Sequence, residues 1–204
     1  MKVRTETRRN AIIEAAADLF REFGYERASM NELAKRLGGS KATLYGYFPS
    51  KEELFVAVVK SIATSHLAVP PAELLEVNGD TTLASLLTRY GERMLHVLIN
   101  DADALAVYRM VIAEAGQSDV GQLFYEAGPA EFIQSLATLM ASAMEYGELR
   151  RADPVVTALQ FSALVTAETQ IRLYQANPAP LTVDQINGMV QRAVEMFLAG
   201  AMSR

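Results

Sequence analysis

A short run of hydrogen-bond donors in the first quarter of the chain has the composition of a nucleic-acid contact. Lysine ammonium groups, serine and threonine hydroxyls and tyrosine phenols all bind phosphate oxygens, and a small alanine allows close approach to a base edge or a thymine methyl group. The residues of this kind are Ser40, Lys41, Ala42, Thr43, Tyr45, Tyr47 and Lys51. Their types and spacing favour double-stranded DNA as the ligand. The alternative is that the two tyrosines only half-bury at the edge of a small domain.

The first of two predicted helices that would hold this run begins at Ser29. Ser29 and Glu32 have the spacing of a capping box, in which the hydroxyl and the carboxylate each accept a backbone N–H. Apolar residues then recur at helical spacing as far as Leu37. Glycines 38–39 end the helix, because glycine adopts a positive φ without a steric penalty. Ser29 is also placed among the predicted DNA-binding residues.

The second predicted helix follows the double glycine. Ser40 can cap it, and Leu44 and Phe48 lie four residues apart, so both point inward. The donors between them do not fit this apolar stripe and should face outward. Pro49 then stops the helix. Two short helices joined by a glycine turn, the second with a polar outer side, predict a helix-turn-helix.

Residues 8–55 resemble the DNA-binding domain of the TetR family of transcriptional regulators. The resemblance is carried by IIEAAADLFREFGY, SMNELAKRLG and SKATLYGYFPSKEEL. It implies that Lys41 and Ala42 lie against base edges. It also implies phosphate contacts from Ser40, Thr43, Tyr45, Tyr47 and Lys51. Gly39 stands where the family usually has a valine beneath the turn, so a looser turn is expected here.

The distribution of charge agrees with DNA binding although the net charge is −5. The first 60 residues carry eleven lysines and arginines against eight acids, a balance of +3. The remaining 144 residues have no lysine and a balance of −8. A basic end on an acidic body orients a protein on a polyanion. The modest positive charge predicts affinity from several placed contacts more than from bulk attraction.

Hydrophobic periodicity predicts an all-α chain in two domains. Residues 1–50 form a three-helix DNA-binding domain, whose first helix spans 6–23 and ends at Gly24. Residues 51–204 form a helical effector-binding and dimerisation domain, entered by a helix from Lys51 to about Val69 that would act as a lever. A turn-rich linker occupies residues 70–80. Further helices are predicted over 81–100, 101–115, 120–127, 129–147, 154–176 and 182–202.

The last two predicted helices are apolar over more than one face, which favours self-association. A helix that is apolar over most of its girth must be covered all round, and small residues with methionine suit close helix packing. This pattern predicts a homodimer through a four-helix interface, the alternative being that loops cover the second face. The predicted interface residues are Leu159, Ala163, Ala167, Met189, Ala193 and Met196.

The segment YRMVIAEAGQSDVGQLFYEAGPAEF resembles the C-terminal domain of AefR-like members of the TetR family. That resemblance implies a pocket for a small hydrophobic effector among the middle helices, mainly apolar with a few polar groups. Each polar candidate could instead be a satisfied core side chain. The candidates are His96, Asn100, Tyr108, Arg109, Glu114, Tyr125, Gln134, Gln160 and Gln170.

Several classes of protein do not fit the sequence. The chain has no cysteine, which excludes disulfides, thiol nucleophiles and cysteine-ligated zinc. Its two histidines, His66 and His96, lie on different predicted helices, and neither HExxH spacing nor a glycine-rich phosphate loop is present. We therefore expect neither an enzyme nor a metal or cofactor. No signal-peptide pattern and no apolar run of about 18 residues is found, so we expect a cytoplasmic protein with no membrane contact.

These features together predict a dimeric, ligand-responsive transcriptional regulator. The form favoured is a repressor that binds a palindromic operator and is released by a small hydrophobic effector. One alternative is a DNA-binding regulator without an effector, controlled by a protein partner. The other is an all-α enzyme or carrier with a vestigial helix-turn-helix.

Overall fold

The structure, a computed structural model, describes residues 5–66, 81–98 and 101–203. Within these ranges the chain is helical and no strand is present, which confirms the all-α prediction. The predicted linker lies outside the described residues. The helices are α1 Glu6–Arg27, α2 Met30–Arg36, α3 Lys41–Tyr47, α4 Lys51–His66, α5 Leu83–Leu98, α6 Ala102–Glu114, α7 Val120–Ala127, α8 Pro129–Glu145, α9 Pro154–Thr166, a 3-10 helix Ala167–Tyr174 and α10 Val183–Ala201.

Packing divides the chain into two compact units that alternate along the sequence. The first unit comprises Met1–Ser65 and Ala102–Pro129, and the second comprises His66–Asp101 and Ala130–Arg204. Helices α6 and α7 therefore pack with α1–α4, although α5 precedes them in the chain. The boundary predicted at residue 50 separates a DNA-binding domain from an effector-binding and dimerisation domain. It concerns function and not packing, and it stays a prediction.

The core of the first unit is built on α1. The buried face of this helix includes Ala16, Leu19 and Phe20, as its apolar spacing predicts. The Phe20 and Phe55 rings meet edge to face with their centroids 5.6 Å apart, an arrangement that the ring quadrupoles favour. Gly24 breaks the helix with φ of 78°, and the chain resumes helical geometry for a last turn that ends at Arg27. Gly24 therefore interrupts the helix where its end was predicted, but α1 continues to Arg27 instead of ending there.

The core of the second unit centres on Tyr90 of α5. Its hydroxyl donates to the Phe132 carbonyl oxygen at 3.0 Å, and burial raises its pKa. Helix α10 packs closely on α5 because Gly91 has no side chain, and a Cβ there would lie 2.8 Å from Val190 Cγ1. At the start of α10, Thr182 and Gln185 form the predicted capping box.

The helix predicted over 154–176 changes type partway. It is α-helical from Pro154 to Thr166 and continues as a 3-10 helix to Tyr174. In this second part Arg172 is buried, and its Nη2 donates to the Ala179 carbonyl at 2.8 Å. Across the described ranges, no helix combines the length and apolarity that a bilayer crossing requires.

Candidate nucleic-acid interface

The third helix presents its donors outward, as its spacing predicts. Ser40 Oγ accepts from the Thr43 N–H at 3.1 Å and so caps α3. Beneath the helix, Leu44 and Phe48 are only 2% and 3% exposed. The outer side chains of Lys41, Ala42, Thr43 and Tyr45 are exposed. The inward face of α3 and the outward direction of these four side chains are therefore confirmed, whereas Tyr47, also expected to face outward, is half-buried against the core. The role of these side chains in DNA binding stays a prediction.

The turn before α3 is held by backbone geometry and by an arginine from α1. Gly38 has φ of 60°, and Gly38 and Gly39 each donate to a carbonyl of α2 at 3.1 Å, as in a Schellman motif. Arg8 Nη2 donates to the Leu37 carbonyl at 3.2 Å and would lie 3.2 Å from a Cβ at position 39. The guanidinium thus covers the place where a valine was expected, beside a cavity of about 10 Å³.

The two tyrosines of α3 differ in exposure. Tyr45 is 45% exposed and offers its phenol to a ligand. Tyr47 is half-buried, and its hydroxyl accepts from the Thr5 N–H at 3.1 Å, which anchors the start of α1. Ser29 is exposed and caps α2 by accepting from the Glu32 N–H at 3.2 Å. Ser29 and Tyr47 therefore already serve the fold.

Lys51 is engaged inside the first unit. Its Nζ donates to the carbonyl oxygens of Tyr25 at 3.1 Å and Glu26 at 3.4 Å, and lies 4.2 Å from the centroid of the Tyr25 ring. Nothing in the spacing of the sequence points to these contacts, because the acceptors lie 25 and 26 residues away. Two of the three donors of the ammonium expected to hold a phosphate are therefore directed at backbone carbonyls of the protein.

Among the cations near α3, Lys41 differs from its neighbours in having no bonding partner in the described part of the chain. Arg8 bonds the turn, and the Arg9 guanidinium lies 5.3 Å from the centroid of the Phe48 ring. Arg36 pairs with Glu22. The exposed ammonium of Lys41 is thus available to an anion or a base edge without loss of a fold contact.

The residues predicted to line an effector site are divided between the two units. In the first unit, Tyr108 and Arg109 are half-buried on α6, and Tyr125 of α7 is 49% exposed. Glu114 accepts two backbone hydrogen bonds from α1. In the second unit, the exposed candidates are His96, Gln134, Gln160 and Gln170.

The structure places one of these candidates beside a small cavity within the second unit. Gln160 borders a cavity of about 30 Å³, which has room for about one water molecule. Asn100 lies outside the described residues. The assignment of these side chains to an effector site stays a prediction.

Apolar side chains remain exposed along the last helices of the second unit. They include Val155, Val156, Leu159, Ile171, Tyr174 and Met196, the last 66% exposed. Of the predicted dimer residues, Ala163 and Ala167 are also exposed, and Met189 is half-buried. Ala193 is only 6% exposed and belongs to the core of its own unit.

Comparisons with known families cover both parts of the chain. Residues 12–58 match the bacterial regulatory proteins of the tetR family. Residues 85–200 match the C-terminal domain of AefR-like transcriptional repressors. The second match alone spans more than half of the chain, and the first contains the whole of α2 and α3.

Individual relatives resemble the chain over different extents. The flavonoid-responsive regulator FrrA is 30% identical and superposes with a TM-score of 0.78, covering 98% of this chain and 100% of that chain. A TetR family transcriptional regulator of Pseudomonas syringae pv. tomato DC3000 is 26% identical, with a TM-score of 0.73 over 98% of this chain and 99% of its own. The HTH-type transcriptional regulator RutR of Escherichia coli K12 is 41% identical over 61 residues, which is 30% of this chain and only 29% of RutR.

Proposed function

This chain belongs to the TetR family of bacterial transcriptional regulators, and from that membership we propose that it is a repressor controlled by a small molecule. It binds a palindromic operator as a homodimer and is released by a small hydrophobic effector. The observation that carries the proposal is the outer face of α3, which is polar and exposed while Leu44 and Phe48 anchor it from below. The proposal places the protein in the cytoplasm with the DNA it regulates.

On the operator, one α3 from each subunit enters the major groove. Lys41 and Ala42, at the start of the helix, contact base edges, because an exposed ammonium without a fold partner can donate to a guanine. The hydroxyls of Ser40, Thr43, Tyr45 and Tyr47 contact phosphates. Twofold symmetry then requires half-sites about one helical turn apart, or a multiple of it.

The dimer forms through α9 and α10. Its support is the set of large apolar side chains that the second unit leaves exposed there, Leu159 and Met196 among them. Exposed apolar groups of this size gain free energy when a second copy covers them. Of the six residues proposed for the interface, Ala193 contributes least because its own unit already buries it.

The effector is a small, largely apolar molecule, and the name of the similar regulator FrrA suggests flavonoids as the first compounds to test. Its binding shifts α4 and alters the spacing of the two recognition helices, so that the dimer no longer matches both half-sites. Such coupling is reciprocal, so DNA weakens effector binding by the same factor.

Footprinting tests the proposal with the purified protein on the DNA upstream of its own gene, with and without a panel of flavonoids and fatty acids. We expect a protected palindrome that one of these compounds abolishes. Binding should weaken steeply as salt increases, because phosphate contacts release counterions.

The controls separate the parts of the proposal. Lys41→Ala and Tyr45→Ala should weaken operator binding without unfolding the protein. Leu159→Glu with Met196→Glu should give a folded monomer in analytical ultracentrifugation. Binding that neither depends on salt nor responds to the two α3 variants would rule out α3 as the DNA-contacting element.

A further inference from the structure

The bend of α1 at Gly24 leaves backbone groups in need of partners. Because Gly24 has φ of 78° and ψ of 170°, the helical hydrogen-bond ladder is interrupted there. The N–H groups of Tyr25 and Glu26 open the last helical turn, and the first N–H groups of a helical segment lack partners within it. Unpaired backbone groups inside a protein are costly, so these N–H groups require an acceptor from elsewhere.

That acceptor is the carboxylate of Glu114 at the end of α6. Its Oε1 accepts from the Tyr25 N–H at 3.0 Å and its Oε2 from the Glu26 N–H at 2.9 Å. A side chain on Gly24 would overlap the carboxylate, so the glycine also makes room for it. An acid in the last turn of a helix is disfavoured by the helix dipole. The hydrogen bonds from the two N–H groups therefore explain why Glu114 is stable at this otherwise unfavourable position.

Lys51, at the start of α4, binds the carbonyl groups of the same two residues. Its ammonium donates to the carbonyl oxygens of Tyr25 and Glu26, whose N–H groups face Glu114. The ammonium also lies over the Tyr25 ring, a cation–π arrangement. A carboxylate from α6 and an ammonium from α4 thus bind opposite sides of one bend in α1.

Helix α6 is also joined to α1 along the rest of its length. At its first turn Asp103 pairs with Arg21 of α1. Between its ends Val107 and Val111 are buried in the same core as Phe20. In the sequence, α6 lies between two segments of the second unit. Its contacts with α1 nevertheless hold it in the first unit, which also contains α3.

We propose that Glu114 and Lys51 are positioning residues that together clamp the α1 bend, fixing α6 and α4 to the DNA-binding helices. In this role Lys51 holds the fold of the DNA-binding unit and contacts no DNA phosphate. A movement of α6 is then transmitted to α1 and α4 through Glu114. The DNA-binding consequence rests on the proposed function, whereas the clamp itself does not.

Amide hydrogen exchange tests the clamp without DNA. Glu114→Gln keeps the size of the side chain but offers one acceptor oxygen in place of two, and its NH₂ group faces the second N–H. We expect the amides of Tyr25 and Glu26 to exchange at least about tenfold faster, since each bond to a charged acceptor is lost or weakened. The matched control is Glu126→Gln on α7, an exposed carboxylate whose partner among the described residues is Gln122. Exchange that is equal in the two variants overturns the clamp.

Operator affinity provides a second test, because electrostatics and the clamp predict opposite changes in the affinity of the Glu114→Gln variant. Removing a negative charge from a DNA-binding protein should by itself leave binding unchanged or strengthen it. The clamp predicts instead that Glu114→Gln weakens operator binding, by about tenfold, while Glu126→Gln does not. Circular dichroism confirms that both variants are folded. A Glu114→Gln affinity equal to or above that of the wild type overturns the coupling.

The salt dependence of binding separates the two possible roles of Lys51. If Lys51 held a phosphate, Lys51→Met would lower the slope of log affinity against log salt by about 0.9. The clamp predicts weaker binding with an unchanged slope. It also predicts that the double variant loses less free energy of operator binding than the two single variants lose together, because both changes act on one bend. A lower slope or full additivity overturns the assignment of Lys51.

The two proposals fail in different ways. A wild-type protein that binds no upstream DNA specifically contradicts the proposed function, while the exchange rates of Tyr25 and Glu26 still decide the clamp. A wild-type protein that binds its operator, with Glu114→Gln and Glu126→Gln alike in exchange and affinity, contradicts the clamp alone.

Discussion

The outer face of α3 and the bend of α1 contain the same kinds of side chain in opposite situations. Lys41 on α3 is exposed and has no bonding partner in the described ranges, whereas Lys51 donates to two carbonyls at the bend. Tyr45 is 45% exposed, whereas Tyr25 is 4% exposed. The comparison teaches that residue type alone does not assign a lysine or a tyrosine to DNA.

The difference comes from what each backbone segment needs. The first turn of α3 receives its acceptor locally from Ser40 Oγ, and the fold makes no demand on the outward side chains of Lys41 and Tyr45. The α1 bend has no local cap for Tyr25 and Glu26 and takes its partners from α4 and α6. Side chains that the fold does not use remain available to a ligand.

Gly24→Ala should produce the largest effect, because it attacks the bend directly. We expect a loss of about 3 kcal/mol in the free energy of unfolding, since alanine at φ of 78° and ψ of 170°, a region essentially restricted to glycine, costs about 1–3 kcal/mol and displacing the carboxylate adds to that cost. Urea unfolding measures this loss. Gly116→Ala is the control, because a Cβ there meets no heavy atom within 4 Å. Similar losses in the two variants would contradict the special role of the bend.

Lys41→Ala should affect DNA recognition and leave the fold intact. We expect discrimination between the operator and a base-substituted operator to fall by about 1–3 kcal/mol, the usual contribution of a good base contact. Fluorescence anisotropy with the two duplexes measures this change. Lys51→Met should show the reverse pattern, with lower stability and unchanged discrimination. If both variants changed discrimination equally, the contrast between the two lysines would not hold.

Alkaline pH should destabilise the bend through Tyr25. Burial, and then the nearby Glu52 and Glu26 carboxylates, raise the pKa of Tyr25 above its ordinary value of 10.0. Because the unfolded chain loses this proton first, the stability is fully present below pH 10 and falls as pH rises. At about pH 11 the loss should be about 1.4 kcal/mol for this tyrosine.

The measurement compares urea unfolding at about pH 8 and about pH 11 in the wild type and in Tyr25→Phe. Burial also raises the pKa of Tyr90, so Tyr25→Phe should remove only part of the alkaline loss and Tyr90→Phe another part. An alkaline loss that is the same in Tyr25→Phe and the wild type would show that Tyr25 does not titrate as its burial requires.

Lys35→Ala should have the smallest effect of these changes. Lys35 Nζ lies 3.7 Å from Glu32 Oε2, and the two side chains are 78% and 45% exposed. Exposed pairs of this kind contribute little, so we expect a loss in the free energy of unfolding below about 0.5 kcal/mol. A thermal melt beside that of Lys51→Met checks it. A loss as large as that of Lys51→Met would contradict the view that Lys51, bonded to the α1 bend, contributes more to stability than a lysine in an exposed ion pair.

Much of the architecture was predictable because its signals are local. The break at Gly24, the turn at Gly38 and the caps at Ser40 and Thr182 each depend on residues within one helical turn. The inward pair Leu44 and Phe48 follows from the helical period. These features determined the helix-turn-helix and the all-α class from the sequence by itself.

The tertiary structure alone decided the pairings between residues that are distant in the sequence. Glu114 lies 89 and 88 positions from the N–H groups it accepts, and Tyr47 lies 42 from its donor at Thr5. Lys51 has the residue type of a phosphate ligand, and only packing brings the carbonyls of the α1 bend to its ammonium. Periodicity and capping are properties of neighbouring residues, whereas the partner of a long side chain depends on which helices the folded chain brings together.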